Sequence, residues 1–278
     1  MAILQRKEIE GFAKKYDLVI PERQKASLVG EQTGKRTGSS IEYQDRRDYV
    51  PGDDIRYIDW RAYARSDRYS IKLFREEIAP RVDIIVDTSL SMSVTEEKSL
   101  RRMDLAYFFS LLGGKLHAQI GVYELGYRMQ RLSSAFDLEK FGDREQKTPV
   151  PLLRQAPATR RGGIKIMISD FLFPFSPEEL IGIFHNADRL ILVQILSGFE
   201  NNPDDAGPIR LEDAETPEHL DVSLDKSTIN EYLKRLERLK QAVARCVRIA
   251  HGAFCTVTDE QSLDKTMTTL LQAGVIEV

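Results

Sequence analysis

The chain has 278 residues, of which 42% are hydrophobic and 30% are charged, a composition typical of a soluble protein with one large domain or two small ones. The net charge of −3 gives no general reason to expect a nucleic-acid partner. No stretch reaches the roughly 18 to 20 apolar residues of a membrane span, and the N-terminus carries charges where a signal peptide is apolar. We therefore expect a cytoplasmic protein without a membrane span.

Residues 1–80 combine a predicted short helix, near 7–16, with short aromatic and β-branched runs. Turn signals such as VGEQTG, VPGDD and RSDR separate these runs. Such a pattern predicts strands and hairpins. We expect this part of the chain to form a β-rich extension of the next domain.

Residues 81–278 alternate short apolar runs with amphipathic segments of helix length. This alternation predicts an α/β fold with a doubly wound, mostly parallel sheet. The predicted strands are 82–87, 119–125, 128–133, 163–169, 189–196 and 253–258, of which the second and third are close enough to form a hairpin. The predicted helices cover about 98–116, 177–187, 227–251 and 261–273. The acidic, Pro-rich segment 200–226 is predicted to be a surface hairpin inserted in this domain.

The sequence VDIIVDTSLSM, at 82–92, ends an apolar strand with a carboxylate and two hydroxyls, Asp87, Ser89 and Ser91. Ligands of open α/β sheets bind beyond the carboxyl ends of the strands, where the strand order reverses. An extended loop directs residues i, i+2 and i+4 to one side, so that these three oxygen donors converge in a way that suits Mg²⁺. The alternative is that the same residues form turns or cap the next helix.

A second strand end has the same character, because the run 163–169 is followed directly by Asp170. The carboxyl ends of parallel strands meet at one edge of a sheet, so we expect Asp170 to lie near Asp87. Two carboxylates that meet there repel each other unless a cation lies between them.

The sequence DTSLSM resembles the D-x-S-x-S element of von Willebrand factor type A domains, in which it forms the metal-ion-dependent adhesion site (MIDAS). MISD, at 167–170, is similar to the strand that supplies a later Asp of that site. The resemblance implies a sheet in which the first strand lies beside this one, with a metal site formed by Asp87, Ser89, Ser91 and Asp170. It also implies a Thr ligand, for which Thr148 and Thr159 are the candidates. The implied ion is Mg²⁺, with Mn²⁺ and Ca²⁺ as alternatives.

Residues 43–77 resemble the hallmark of the bacterial family called domain of unknown function 58, which reads R-x-Y-x-P-G-D-D-x-R-x-I-D-W-R-x-x-A-R. The resemblance covers about residues 20–275. The matching positions are Arg47, Tyr49, Pro51, Gly52, Asp53, Asp54, Arg56, Ile58, Asp59, Trp60, Arg61, Ala64 and Arg65. One interpretation is a hairpin laced by Arg–Asp pairs, with Trp60 packed against the α/β body. The others are a partner-binding face and a single-stranded nucleic-acid surface, and the matching number of carboxylates argues against the latter.

The resemblance implies a non-enzymatic interaction module, because a hydrated metal ion with an open position can accept an acidic side chain of another protein. Members of this family typically accompany MoxR-type AAA+ ATPases and look like adaptors in protein maturation or complex assembly. The implied partners are such an ATPase and an unknown client protein. One alternative is a metal-dependent hydrolase or phosphotransferase, although aspartyl phosphatases need a second acid where this chain has Ser89. Another alternative is a structural scaffold with a degenerate metal site.

Overall fold

The computed structural model describes residues 6–21, 41–76, 80–126, 129–133, 162–173, 175–176, 182, 184, 186–204, 207–214, 218–249 and 251–278. The chain divides into two compact units. The larger contains Met1–Pro21 together with Pro80–Val278, and the smaller contains Glu22–Ala79. The start of the chain therefore lies in the larger unit, whereas the sequence analysis assigned it to the N-terminal extension.

The helices and strands follow one another through both units. The helices are α1 (Arg6–Lys15), α2 (Trp60–Ser66), α3 (Glu96–Lys115), α4 (Gly198–Asn201), α5 (Lys226–Ile249) and α6 (Leu263–Gln272). The strands are β1 (Asp17–Leu18), β2 (Ile41–Asp48), β3 (Ser70–Glu76), β4 (Arg81–Asp87), β5 (Gln119–Leu125), β6 (Met129–Leu132), β7 (Ile164–Ser169), β8 (Arg189–Leu196), β9 (Gly207–Glu212), β10 (His219–Leu224), β11 (Ala253–Thr258) and β12 (Ile276–Glu277).

A six-stranded sheet forms the centre of the larger unit, in the order β11-β8-β7-β4-β5-β6. Neighbouring strands are parallel except for the antiparallel pair of β5 and β6. The predicted mixed α/β fold with a mostly parallel sheet is therefore confirmed. Strand β5 lies on one side of β4, and β7, which comes later in the chain, lies on the other side. The strand order therefore reverses between β4 and β7.

The central strands are mostly apolar and buried along nearly their whole length. Every residue of β7 and β8 is buried, and β4 is buried from Val82 to Asp87. Strands of a parallel sheet need apolar side chains on both faces, because helices cover both faces. The predicted strands agree with the structure to within one residue at each end, and the predicted hairpins at 119–133 and within 200–226 are present. The predicted helix 177–187 lies largely outside the described residues.

The segment 6–21 belongs to the larger unit and packs on its helices and its C-terminal strand. Helix α1 packs on α3, and β1 pairs antiparallel with β12 near the C-terminus. Helix α1 buries Ile9 and Ala13, which are four residues apart and therefore lie on one helical face.

The smaller unit contains the antiparallel pair of β2 and β3. A 3-10 turn at Ile55–Tyr57 and helix α2 lie between these strands. The prediction that this part of the chain forms strands and turns is therefore wrong at α2. The reason is local, because the Asp59 carboxylate accepts hydrogen bonds from Arg61 N and Ala62 N, both at 3.1 Å, and so caps a helix.

Candidate functional site

The predicted ligands converge at the carboxyl ends of β4 and β7. Asp87 is the last residue of β4, and Asp170 directly follows β7. Ser89 and Ser91 lie in the loop after β4, where Ser91 belongs to a 3-10 turn at Leu90–Ser93. Asp87, Ser89 and Asp170 are buried and Ser91 is half-buried. The side chains that the sequence singled out lie at one edge, but the loop is extended only as far as Ser89, and the 3-10 turn rather than an extended loop places Ser91 beside Ser89.

Both carboxylate oxygens of Asp87 accept hydrogen bonds. Ser169 Oγ donates to Oδ2 at 2.6 Å, and the backbone N–H of Ser89 donates to Oδ1 at 2.9 Å. Burial, together with the negative charge of Asp170, raises the pKa of Asp87 to about 6. These hydrogen bonds fix the orientation of the carboxyl group, while its surroundings disfavour its charge.

The two loop hydroxyls lie side by side, with 3.0 Å between Ser89 Oγ and Ser91 Oγ. Mg²⁺ binds oxygen octahedrally at about 2.0–2.1 Å, which places neighbouring ligands about 2.9–3.0 Å apart. The distance between the two hydroxyl oxygens therefore matches that between neighbouring ligands of Mg²⁺. The same distance also fits a hydrogen bond between the two hydroxyls.

Sequence reasoning missed Lys98, which lies in the first turn of α3 and is completely buried. Its ammonium donates to Asp170 Oδ2 at 3.0 Å and to the carbonyl oxygen of Ser91 at 2.9 Å. It also lies 2.8 Å from both carboxylate oxygens of Glu200. A lysine among charged residues at a helix start is expected in solvent, so the sequence contains no signal for this contact.

Glu200 is a further carboxylate that the sequence analysis did not select. It lies on α4, where Ser197 and Glu200 form a capping box. The sequence SGFE, at 197–200, has the S-x-x-E spacing of that motif, so the helix start could have been found. The contact with Lys98 could not, because it joins positions 102 residues apart.

Two further contacts hold the loops around the site. Arg102, also on α3, donates from Nη1 to the carbonyl oxygen of Asp87 at 3.1 Å. Asp259, just after β11, accepts hydrogen bonds from Thr95 Oγ1 at 2.6 Å and from Gly198 N at 3.1 Å. The loops that follow β4, β8 and β11 are thereby connected by side-chain hydrogen bonds.

The predicted donor set fits a hydrated divalent ion in its chemistry. It offers the carboxylates of Asp87 and Asp170 and the hydroxyl pair of Ser89 and Ser91, and hard oxygen donors are those that Mg²⁺ prefers. In the described part of the chain, no group of three or more His, Cys, Asp or Glu residues is placed to hold a metal ion. An ion at this site would therefore keep water molecules as several of its ligands.

The Thr candidates, Thr148 and Thr159, lie outside the described residues. Whether a Thr completes the donor set thus stays a prediction.

In the smaller unit, the predicted Arg–Asp pairs are present in part. Arg47 pairs with Asp53 at 2.5 Å and Arg56 pairs with Asp54 at 2.6 Å. These Arg partners lower the pKa of both carboxyl groups, chiefly through the side-chain hydrogen bonds. Asp59 is buried, caps α2 and pairs with Arg46 at 3.1 Å. The carboxylates of Asp53, Asp54 and Asp59 therefore form ion pairs and hydrogen bonds within the smaller unit.

Trp60 exposes 60% of its surface, and its packing against the α/β body stays a prediction. Asp59 caps the start of α2, and Ala62 rather than Trp60 is the buried residue of this helix. The Trp60 ring meets Tyr63 edge to face, with 6.3 Å between the ring centroids, and Tyr63 stacks on Tyr69. Arg61 and Arg65 are exposed on the same short helix. These residues form an aromatic and basic surface, and the partner-binding interpretation of it stays a prediction.

Fold and site together define an α/β protein with polar side chains at the point where the strand order reverses. Residues 45–133 match the family described as protein of unknown function DUF58. This match confirms the predicted likeness to that family. It covers the Arg–Asp–aromatic motif of the smaller unit together with Asp87, Ser89 and Ser91 of the larger one.

Curated relatives extend the likeness over most of the chain. Over 255 residues, the chain is 23% identical to the uncharacterized protein Rv1480 of Mycobacterium tuberculosis and to the uncharacterized protein Mb1516 of Mycobacterium bovis. Each alignment covers 84% of this chain and 79% of the relative. The uncharacterized protein MAV169 of Mycobacterium avium is 24% identical over 102 residues, which are 37% of this chain and 60% of that protein.

Two solved structures overlap with the larger part of this chain. One is the conserved hypothetical protein BatB from Bacteroides thetaiotaomicron, and the other is an aerotolerance-related membrane protein from Bacteroides fragilis. Each is 12% identical, with a TM-score of 0.36, and covers 70% of this chain and 98% of its own. Overlap at this level establishes no common fold. Among the described helices of this chain, none has the length and apolar character needed to cross a bilayer.

Proposed function

We propose that this chain is a non-enzymatic protein-interaction module with a von Willebrand factor A-like domain and a MIDAS-like site for a divalent ion, Mg²⁺ in the first place. The observation that carries the proposal is the convergence of Asp87, Ser89 and Ser91 with Asp170 where the strand order reverses. The family resemblance adds the partners, a MoxR-type AAA+ ATPase and a client protein in maturation or complex assembly in the cytoplasm.

The side chains of the site have separate roles in this proposal. Ser89, Ser91 and Asp87 would hold the ion, with Asp170 in or next to its shell. The bound ion supplies a positive charge that attracts an acidic side chain of the partner. Ser169 and the N–H of Ser89 keep the Asp87 carboxyl group in one orientation.

The alternative of a hydrolase or phosphotransferase is weaker at the same residue. Aspartyl phosphatases need a second acid two residues after the nucleophile, and this chain has Ser89 at that position. The alternative of a structural scaffold shares the fold and differs in one respect, because partner binding would then be independent of Asp87.

The first experiment measures binding of the purified MoxR-type ATPase from the same organism to the immobilised chain in Mg²⁺. We expect Asp87→Ala to weaken binding by about tenfold or more, as the loss of about 1.4 kcal/mol would, and we expect EDTA to have the same effect on the wild type. The matched control is Asp204→Ala, which removes an exposed carboxylate outside the donor set and should bind as the wild type does.

Circular dichroism and melting temperature verify that both variants are folded. Full binding by folded Asp87→Ala would favour the scaffold. No binding by the wild type in Mg²⁺ would remove the ATPase from the proposal.

A further inference from the structure

We infer that Lys98 is an internal cation that competes with the divalent ion for Asp170, and that Glu200 is the carboxylate that keeps Lys98 when the ion binds. The inference rests on the proposed metal function of the site and names its regulation. It follows from the contacts of one ammonium group.

The first observation is that the Lys98 ammonium occupies the acidic side of the donor set. Asp170 Oδ2 accepts from Lys98, and Oδ1 accepts from the backbone N–H of Leu172 at 3.1 Å. Both oxygens of Asp170 are therefore engaged. An ion that bound Asp170 directly would share its carboxylate with these donors, and at Oδ2 it would lie next to the ammonium of Lys98.

The second observation is that Lys98 has another carboxylate partner. A buried ammonium requires compensating carboxylates, because an unpaired buried charge is strongly destabilising. Lys98 is completely buried, whereas the Glu200 side chain is 17% exposed and contacts the ammonium with both oxygens. Lys98 can thus lose Asp170 without losing all of its compensation.

The third observation concerns Glu200, which is held in place independently of Lys98. Its carboxylate accepts from Ser197 N at 2.7 Å, and its carbonyl oxygen accepts from Tyr232 Oη at 2.5 Å. The residue that would retain the ammonium is therefore fixed by the start of α4 and by α5.

A consequence for affinity follows from charge. A divalent ion near Asp170 would be repelled by the ammonium of Lys98, and that repulsion is strong in a buried site because the local dielectric is low. The wild type should therefore bind Mg²⁺ weakly. Its affinity for Mg²⁺ should depend on the charge of residue 98.

The experiment is calorimetric titration of the full chain with MgCl₂ and, in parallel, with MnCl₂. Lys98→Met keeps the length of the side chain and removes its charge, and we expect about tenfold or more tighter binding, which is about 1.4 kcal/mol. The double variant Lys98→Met/Asp87→Ala should lose this binding, which assigns it to the predicted site.

Two further variants separate the inference from a general effect of charge. Lys240→Met removes a half-buried cation that donates to Asn201 Oδ1 at 3.2 Å, beside Glu200 but outside the donor set. We expect its affinity to match the wild type. Glu200→Gln keeps the pair of Lys98 with Asp170 and removes the alternative carboxylate, so we expect it to bind the ions more weakly than the wild type. This second variant also provides a test if Lys98→Met does not fold.

Equal affinity of the wild type and folded Lys98→Met would overturn the inference and leave the proposed metal site standing. Equal gains from Lys98→Met and Lys240→Met would also overturn it, because net charge would then explain the result. Absence of binding in both the wild type and Lys98→Met would reject the metal site itself, and with it the competition.

Discussion

Two buried lysines of the larger unit meet carboxylates in contrasting ways. Lys165 on β7 forms an ion pair with Asp83, its register neighbour on β4, in the middle of the sheet. Lys98 lies at the carboxyl edge, where Asp170 and Glu200 share its ammonium. The first arrangement is matched one to one, and the second has more carboxylates than ammonium groups.

The difference separates a structural pair from a candidate site. The next strand gives room to the central pair, because Gly121 lies opposite Asp83 and a Cβ at that position would stand 2.5 Å from Asp83 Oδ1. This pair joins one ammonium to one carboxylate on neighbouring strands. The edge cluster has an alternative partner for its lysine and adjoins two hydroxyls, so that its contacts can be exchanged.

The largest expected effect tests the matched pair. Lys165→Met removes the ammonium that compensates the buried charge of Asp83, and we expect the free energy of unfolding to fall by about 3–5 kcal/mol. Urea denaturation measures the change. The double variant Asp83→Leu/Lys165→Met removes both charges and should recover most of the loss. If Lys165→Met were as stable as the wild type, the ion pair would not contribute to stability in the way we expect.

A smaller effect is expected at Asp104, another buried carboxylate of the larger unit. Its Oδ1 has no hydrogen-bond partner among the residues that the structure describes, and burial raises its pKa to about 6. Because this value exceeds the ordinary one, the folded state favours the protonated acid. The stability that protonation contributes is complete at acid pH and is lost as the pH rises through about 6.

Asp104→Asn keeps the side chain neutral at all pH values. Near pH 8, we expect its free energy of unfolding to exceed that of the wild type by about 1–2 kcal/mol. Below about pH 4, we expect the two proteins to be equally stable. Urea denaturation at both pH values measures this difference. An advantage that does not depend on pH would contradict the assignment to the ionisation of Asp104.

The smallest effect is expected for a pair that is not buried. Arg210 and Asp221 face each other across β9 and β10 at 2.7 Å, and both side chains are more than half exposed. Solvent screens such pairs. Arg210→Gln should therefore leave the melting temperature unchanged, in contrast to Lys165→Met. A clear decrease in the melting temperature of Arg210→Gln would mean that solvent exposure does not determine how much each of the two ion pairs contributes to stability.

The sequence predicted the sheet well because each strand is a short apolar run bounded by turns. It failed at α2, where Trp60 and Tyr63 favour a strand, whereas Ala62, Ala64 and the capping carboxylate of Asp59 favour a helix. It gave no signal that α1 packs on α3 or that β1 pairs with β12, because neither contact follows from local sequence.

The candidate site was predictable where its geometry is local. Asp87 and Ser89 follow from alternation along one loop, the 3-10 turn places Ser91 beside Ser89, and Asp170 follows from the common edge of parallel strands. Lys98 and Glu200 were missed because their contact joins two helix starts that are distant in sequence. Burial of Lys98 depends on that contact and on no local pattern.

Asp259 gives the edge of the sheet a mechanical property. Its carboxylate binds Thr95, which caps α3, and the first N–H of α4. A displacement of the first turn of α3 would therefore pull on hydrogen bonds that also anchor α4 and the end of β11. The hydrogen bonds of one carboxylate thus link the loops that follow β4, β8 and β11 along the carboxyl edge.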